Sequence, residues 1–412
     1  MGEDRDAAVE AHYDAYPYPA RDPKDEAARL IEGSPSRFDE LAHFVFAGAA
    51  PKPFRALVAG GGAGDAAIML AQHMADRDWE GEVVWLDLSK PARDVAEARA
   101  AARGLANIRF VSGSLLEARA HVGDGFDYVD CCGVLHHLDD PEAGLAALVD
   151  VLKPTGGAGV MVYGALGRRG VYEMQALAEA LAPHDIAPAD RLAAGRKLFQ
   201  ALPPTNWLKR NPFVRDHLDG GDAGFYDLLL HARDRAYTVP EFYKLVRTSG
   251  LDVVSFIEPI FYRPETYLKD PALRARLAAL APEAGAAMAE QAAGFMTKHI
   301  AYLAPAARAG SAAARPSDPA LTPVLRDGNG PALADAARAG RLSVRHMGLE
   351  LAPPTPKLAP AILRRVDGRA SLGEIHQSIQ ASDAALDWPR FQASFEALFE
   401  CLNGLNLMWL RR

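Results

Sequence analysis

The chain has 412 residues, 49% of them hydrophobic and 24% charged, with a formal net charge of −8. That is the balance of a soluble globular protein long enough for two or three domains. It offers no basic stretch suited to a nucleic-acid groove, no eighteen-residue apolar run, no apolar signal core, and three cysteines with no Cys-x-x-Cys pair, so the expectation is a cytoplasmic protein without metal, membrane or nucleic-acid partner.

In chain order, residues 1–50 contain Tyr13-Asp-Ala-Tyr16-Pro-Tyr-Pro19, whose prolines stiffen the backbone and whose tyrosines combine an apolar ring with a polar tip. This segment reads as a lid over a ligand or as an aromatic clasp on the surface. An apolar run then ends in glycines 60, 62 and 64, with a helical pattern over 66–74. That is a buried strand, a tight turn and a helix start with free N–H groups. A second apolar run, 82–87, ends in Asp87. Further strands are expected over 107–111 and 126–132, the latter running into the loop 133–138. Asp139-Asp-Pro141 should cap a helix over 142–152, residues 153–157 read as a turn, and 158–163 as a fifth strand. Cys131 and Cys132, on the fourth strand, read as core packing. Alternating strands and helices imply a parallel, doubly wound α/β sheet over residues 51–164.

Residues 165–236 read as a helical insertion with helices over 171–181, 188–202, 206–214 and 225–232, broken at Pro203-Pro204. It should cap the carboxyl edge of the sheet, where open α/β sheets bind ligands. Residues 237–304 complete the core. Thr238 is the expected N-cap of a helix over 239–249, with strands over 251–257 and 299–303 on either side of an alanine-rich helical excursion. Residues 305–320 have the composition of a linker. Residues 321–412 read as a small α+β, winged-helix-like module, with a strand-like segment 342–351, helices over 358–366, 372–379 and 388–402, and a final strand 405–410. Its helix 372–379 carries Glu374 and His376 and neither Lys nor Arg. That leaves substrate docking, or dimerisation into a homodimer, as its expected role rather than DNA binding.

The glycine turn alone is a weak signal, because such turns join strands to helices in many proteins that bind nothing there. Together with Asp87 at the tip of the second strand, it is the arrangement with which α/β folds hold an adenosine. The turn reads Gly60-Gly-Gly-Ala-Gly-Asp65, so the third glycine comes one position early for the dinucleotide fingerprint. Asp65 would repel a pyrophosphate at the helix start. Both features oppose NAD and favour S-adenosylmethionine, which has no phosphate and carries cationic groups.

The segments LVAGGGAGD, VVWLDLS, FDYVDCCGVLHHLDDP and LKPTGGAGVMVYG resemble the successive motifs of class I S-adenosylmethionine-dependent methyltransferases. The resemblance implies a Rossmann-like, seven-stranded sheet whose last strand runs antiparallel between the fifth and sixth. It also implies roles for individual residues. Gly60, Gly61, Gly62 and Gly64 would lie under the methionine moiety, and Asp87 would accept from the ribose hydroxyls. Leu88 would lie against the adenine, and Ser114 and Leu115 near its amino group. Gly133, Val134 and Leu135 would line the wall beside the methionine, with His136 close to the transferred methyl. Val58 and Ser114 stand where the family usually has acids. The segment Asp227-Leu-Leu-Leu-His231 through Tyr237-Thr-Val-Pro-Glu241 resembles one in some bacterial methyltransferases fused to other modules, and the C-terminal module weakly resembles those of some bacterial protein-lysine methyltransferases.

Methyl transfer is an in-line displacement in which positioning does much of the work, and a base is needed only for a hydroxyl or a protonated amine. The candidates for that base are His136, His231 and Tyr16. Asp227 and His231 are expected one helical turn apart on a shared face, with Asp234 beyond, as a catalytic pair or as a buried polar anchor. The expected activity is methylation of an O or N acceptor, either a small metabolite or a protein lysine side chain. A catalytically silent cofactor-binding or scaffold protein is the alternative.

Overall fold

The structure is a computed structural model that describes residues 21–277 and 279–412. Its central sheet is built from β1 (Phe54–Ala59), β2 (Gly81–Asp87), β3 (Ile108–Ser112), β4 (Phe126–Cys132), β5 (Leu152–Gly164), β6 (Ala236–Tyr237), β7 (Leu251–Phe256) and β8 (Lys298–Pro305). The strand order is β3-β2-β1-β4-β5-β8-β7, with the two-residue β6 pairing β5. β1, β2, β3, β4 and β5 pair in parallel, and β8 is antiparallel to β7. This is the expected seven-stranded order with one short strand added. The central strands are apolar along almost their whole length because helices cover both faces. In β4 every residue through Cys131 is buried.

Local signals set the helices between strands. Ser89 accepts from the Ala92 N–H at the start of Lys90–Ala102, and Asp140 from the Ala143 N–H at the start of Pro141–Asp150. The expected turn over 153–157 is instead the first part of β5. Gly156 makes this pairing feasible: a Cβ there would sit 2.8 Å from the Asp127 carbonyl oxygen. The pairing with β4 shifts register between Phe126 and Tyr128, so glycines that resemble turn residues accommodate a bulge.

The chain folds into two compact units. The first comprises residues 21–37, 52–250 and 294–300. The second comprises 38–51, 251–293 and 301–412. In the first unit the insertion contains helices Val171–Leu181, Pro188–Ala201, Trp207–Arg210, Asp216–Asp219 and Gly221–Leu229. The last of these ends before His231, so Asp227 and His231 do not share a helical face. Thr238 and Glu241 form the capping box of Val239–Thr248.

In the second unit, β9 (Thr322–Leu325) pairs antiparallel with β12 (Met408–Arg411). The expected single strand over 342–351 is a hairpin of β10 (Val344–His346) and β11 (Leu349–Leu351). Met347 and Gly348 turn it, both at positive φ. Ser371 and Glu374 cap Leu372–Gln380, and Asp387 caps Trp388–Gly404. Leu372, Ile375, Phe391, Phe395, Leu398 and Leu402 form the core against which Met408 and Leu410 pack. The segment 305–320 carries a short helix, Ala306–Ala312, and Ala312 and Ala314 are buried. No helix among the described residues is long and apolar enough to cross a membrane.

Candidate functional site

The glycine turn separates into residues that pack and one that faces open space. A Cβ on Gly60 would lie 2.3 Å from Val134 Cγ2, one on Gly61 2.1 Å from the Trp85 ring, and one on Gly64 2.9 Å from the Ala96 Cβ. These three let strand, loop and helix close on one another. Gly62, at φ +48°, would meet nothing within 4 Å, so its outer face is available to a ligand. Its backbone is held from two sides. The Gly62 N–H donates to Asp87 Oδ2 at 2.8 Å, and its carbonyl accepts from Trp85 Nε1 at 3.1 Å.

Asp87 also accepts from the Ser89 N–H through Oδ1 at 2.8 Å. Burial raises its pKa, against N–H groups of Ser89, Gly62 and Leu88 that favour the carboxylate. Leu88 is 59% exposed beside it, a free apolar surface. The Gly113 N–H bonds the Asp87 carbonyl, bringing the end of β3 alongside. There Ser114 Oγ accepts from the Leu116 N–H, and Leu115 is buried. Gly133, at φ +81°, leads into Val134, which abuts Gly60. Gly60, Gly61, Gly62, Asp87, Leu88, Ser114, Gly133 and Val134 lie at the carboxyl ends of β1 to β4.

Two charged features differ from expectation. Asp65 is not a bare anion beside the turn. It pairs with Arg21, whose Nη2 lies 2.6 Å from Oδ2, and with Arg99, whose Nη1 lies 2.6 Å from Oδ1. Burial pushes its pKa up, but the two guanidiniums hold it below the ordinary value. The argument for a cationic ligand from Asp65 alone therefore fails. Second, Val58 is the cross-strand partner of Asp130 on β4. A carboxyl that β1 lacks stands one strand over, where burial lifts its pKa to about 7 and Ser36 Oγ donates to it.

A second cluster lies at the carboxyl ends of β4 and β5. His136 is fully buried against Tyr163, ring centroids 3.9 Å apart, and edge-on to His137 at 4.2 Å. Neither ring nitrogen of His136 has a hydrogen-bond partner among the described residues. Burial, reinforced by His137 and Arg168, depresses its pKa well below 6.5, so the imidazole is neutral. His137 Nδ1 donates to the Arg233 carbonyl at 2.8 Å, and its ring stacks on His231 at 4.0 Å. His231 Nδ1 accepts from the Arg233 N–H at 3.0 Å. His231 is thus one ring removed from His136 and braces the loop. Tyr16 lies outside the described residues.

Arg168 stands 3.6 Å over the Tyr163 ring and pairs with Asp234 at 2.9 Å, both side chains almost wholly buried. Gln175 also donates to Asp234 Oδ2. Sequence reasoning missed Tyr163 and Arg168, because nothing marks an aromatic at a strand end or a lone arginine after it. His136, His137 and Asp234 bring one ligand atom each within 4.8 Å of one another. Arg168 already neutralises Asp234 there, so the group reads as a buried polar cluster rather than a metal centre. Burial raises the thiol pKa of Cys131 and pushes Cys132 up to about 12, so neither is a ready nucleophile.

The methyltransferase domain family matches residues 57–158. An uncharacterized protein of Synechococcus sp. is 31% identical over 266 residues, 63% of this chain and 61% of that protein. The tRNA 5-carboxymethoxyuridine methyltransferase of Escherichia coli K12 is 32% identical over 124 residues, 30% of this chain and 45% of that enzyme. The chain thus spans less than two thirds of either relative's length. Among solved structures, PKMT2 from Rickettsia typhi is similar at a TM-score of 0.60, and its complex with AdoHcy at 0.62. Each is 14% identical and covers 92% of this chain and 76% of that one. At that identity the likeness is one of fold.

Proposed function

We propose that the chain, whose residues 57–158 match the methyltransferase domain family, is a class I S-adenosylmethionine-dependent methyltransferase that transfers a methyl group to an oxygen or nitrogen of an acceptor held beneath the insertion 165–236. The observation that carries this reading is the cradle formed by Gly62 and Asp87 at the tips of β1 and β2. Its open face lies on Gly62, and Asp87 retains lone pairs for ribose hydroxyls beyond those used by Gly62 and Ser89. Gly133 and Val134 border the same space. When bound, S-adenosylmethionine supplies a methyl group on a sulfonium leaving group.

The chain's own residues then have two tasks. The cradle and the β4 loop orient the donor, and the insertion keeps water from the acceptor. His136 is neutral and has no partner on either ring nitrogen among the described residues, which makes it our candidate to take a proton from a hydroxyl or ammonium acceptor. His137 and His231 stack in series behind it, and Arg168 with Asp234 fixes the start of the insertion to its end.

For the acceptor we favour a protein side chain, such as a lysine amine, over a small metabolite. Among the described residues the insertion exposes the large apolar side chains Leu177, Leu181, Trp207 and Leu218, and this is the feature that inclines the reading to a macromolecular acceptor. The test is incubation with methyl-labelled S-adenosylmethionine and a cell extract split by size. Protease-sensitive label in the large fraction supports the protein acceptor, and label in the metabolite fraction replaces it with a small one. Binding of S-adenosylhomocysteine with no transfer under any condition would favour the silent alternative. Gly62→Asp places a carboxylate in the open face and beside Asp87. The expected result is affinity for S-adenosylhomocysteine weakened by at least about 100-fold, read by calorimetry.

A further inference from the structure

We infer that Glu26 and Arg21 are positioning residues for the cofactor turn, acting through Arg99 and Asp65, so that docking of the segment 21–37 sets the affinity for S-adenosylmethionine. This rests on the methyltransferase reading above.

The connection is a continuous chain of ion pairs. Glu26 is buried, and its side chain and that of Arg99 are each 1% exposed. Arg99 Nε donates to Glu26 Oε1 at 2.7 Å, and Arg103 pairs with the other carboxylate oxygen. The Arg99 Nη1 group then donates to two acceptors, the Ala63 carbonyl and Asp65 Oδ1, both at 2.6 Å. Ala63 lies inside the glycine turn, and Asp65 opens the helix that follows it. Asp65 completes the chain by accepting from Arg21 Nε and Nη2. One guanidinium thus holds the turn's backbone directly, and carboxylates from the N-terminal segment and from the helix start hold that guanidinium.

The turn is therefore fixed from two directions. Asp87 and Trp85 grip Gly62 from β2, and Arg99 grips the next residue. Asp87 would also bind cofactor, but neither Glu26 nor Arg21 touches the turn itself. Their effect passes through the orientation of Arg99 and Asp65. Three guanidiniums share two carboxylates here, so loss of Glu26 leaves the buried Arg99 with Asp65 as its one remaining carboxylate, a poorer compensation of its charge in a low-dielectric site. The segment is pinned again further on. Glu32 Oε1 lies 2.7 Å from His73 Nε2 on the helix after the turn, and Ser36 donates to Asp130 on β4. Docking of this segment and shaping of the turn are thus one event, and cofactor affinity should report on both.

The test is calorimetric titration of the full chain with S-adenosylhomocysteine, alongside thermal melts without ligand. Glu26→Gln is expected to raise Kd by about 10-fold or more, and Arg21→Gln by a smaller factor of about 3. Arg21→Lys should recover part of that loss. The double variant should fall short of the product of the two effects, since both act on one relay. In steady-state assays KM for S-adenosylmethionine should rise by more than kcat falls. Should Glu26→Gln fail to fold, as its melt would show, Arg21→Gln at the more exposed end of the relay decides the question. Wild-type Kd values in the folded variants overturn the inference and leave the methyltransferase reading intact. A wild-type chain that does not bind S-adenosylhomocysteine at all sinks the methyltransferase reading instead.

Discussion

Asp87→Ala is expected to weaken binding of S-adenosylhomocysteine by about 100- to 1,000-fold. The carboxylate accepts from the N–H groups of Gly62 and Ser89, both at 2.8 Å, and in the proposed complex from ribose as well. Hydrogen bonds to a charged acceptor are worth about 1.5–3 kcal/mol each. Losing the ribose contacts, together with the restraint on Gly62, amounts to roughly 3–4 kcal/mol, which is the fold-change above. Asp87→Asn keeps the shape and one acceptor oxygen, so its loss should be smaller than that of the alanine variant. Calorimetry checks both. Unchanged affinity in Asp87→Ala would remove the cradle from the binding site.

The geometry of the cradle proposed for the cofactor was legible in the sequence for a physical reason. A strand, a glycine turn and a helix start are consecutive, so local chemistry alone places Gly60 to Gly64 at a sheet edge. The acid at the end of the next strand falls beside them by the parallel register that pairs Val58 with Trp85 and Ala59 with Leu86. The caps at Asp140 and Thr238 were legible for the same reason, since each acts on an N–H group three residues away.

What the sequence hid is non-local. Asp65 reads as an unpaired anion until Arg21, 44 positions away, and Arg99, 34 positions away, are seen against it. The loss of an acid at Val58 looks like a deficit until β4 lies next to β1 and brings Asp130 into register. The spacing of Asp227 and His231 suggests one helical face, but the helix stops at Leu229. His231 instead stacks on a ring from the β4 loop. The proposed base, His136, is separated from His137 in the sequence only by the family resemblance. In the structure, full burial and the lack of any partner on either ring nitrogen among the described residues distinguish it.

That distinction makes His136→Phe the most informative change at the acceptor side. Phenylalanine keeps an aromatic ring against Tyr163 and is larger than histidine, and its overpacking cost of about 1–3 kcal/mol is offset by removing two buried nitrogens that have no partner among the described residues, each with a desolvation cost of about 1–3 kcal/mol. Folding stability should therefore hold or rise, and affinity for S-adenosylhomocysteine should stay near wild type. Turnover should fall by about 100- to 10,000-fold if the imidazole takes the acceptor's proton. The pH dependence gives an independent reading. Burial holds the folded pKa of His136 well below 6.5, so the neutral, basic form persists as pH falls through 6.5 and this group should impose no acid limb on kcat there. Stability behaves oppositely: below pH 6.5 the unfolded chain takes up a proton at this position that the folded chain refuses. Its contribution is fully present above 6.5 and is lost as pH falls toward the folded value. His136→Phe should remove that part of the acid destabilisation, leaving the share due to other buried histidines such as His43, whose pKa burial lowers to about 3 against an opposing hydrogen bond with Leu410. Chemical denaturation of both proteins at pH 7.5 and 5.5, run beside single-turnover assays, measures the two effects together. Wild-type turnover in a folded His136→Phe protein would exclude the imidazole as the base and leave it a packing role against Tyr163.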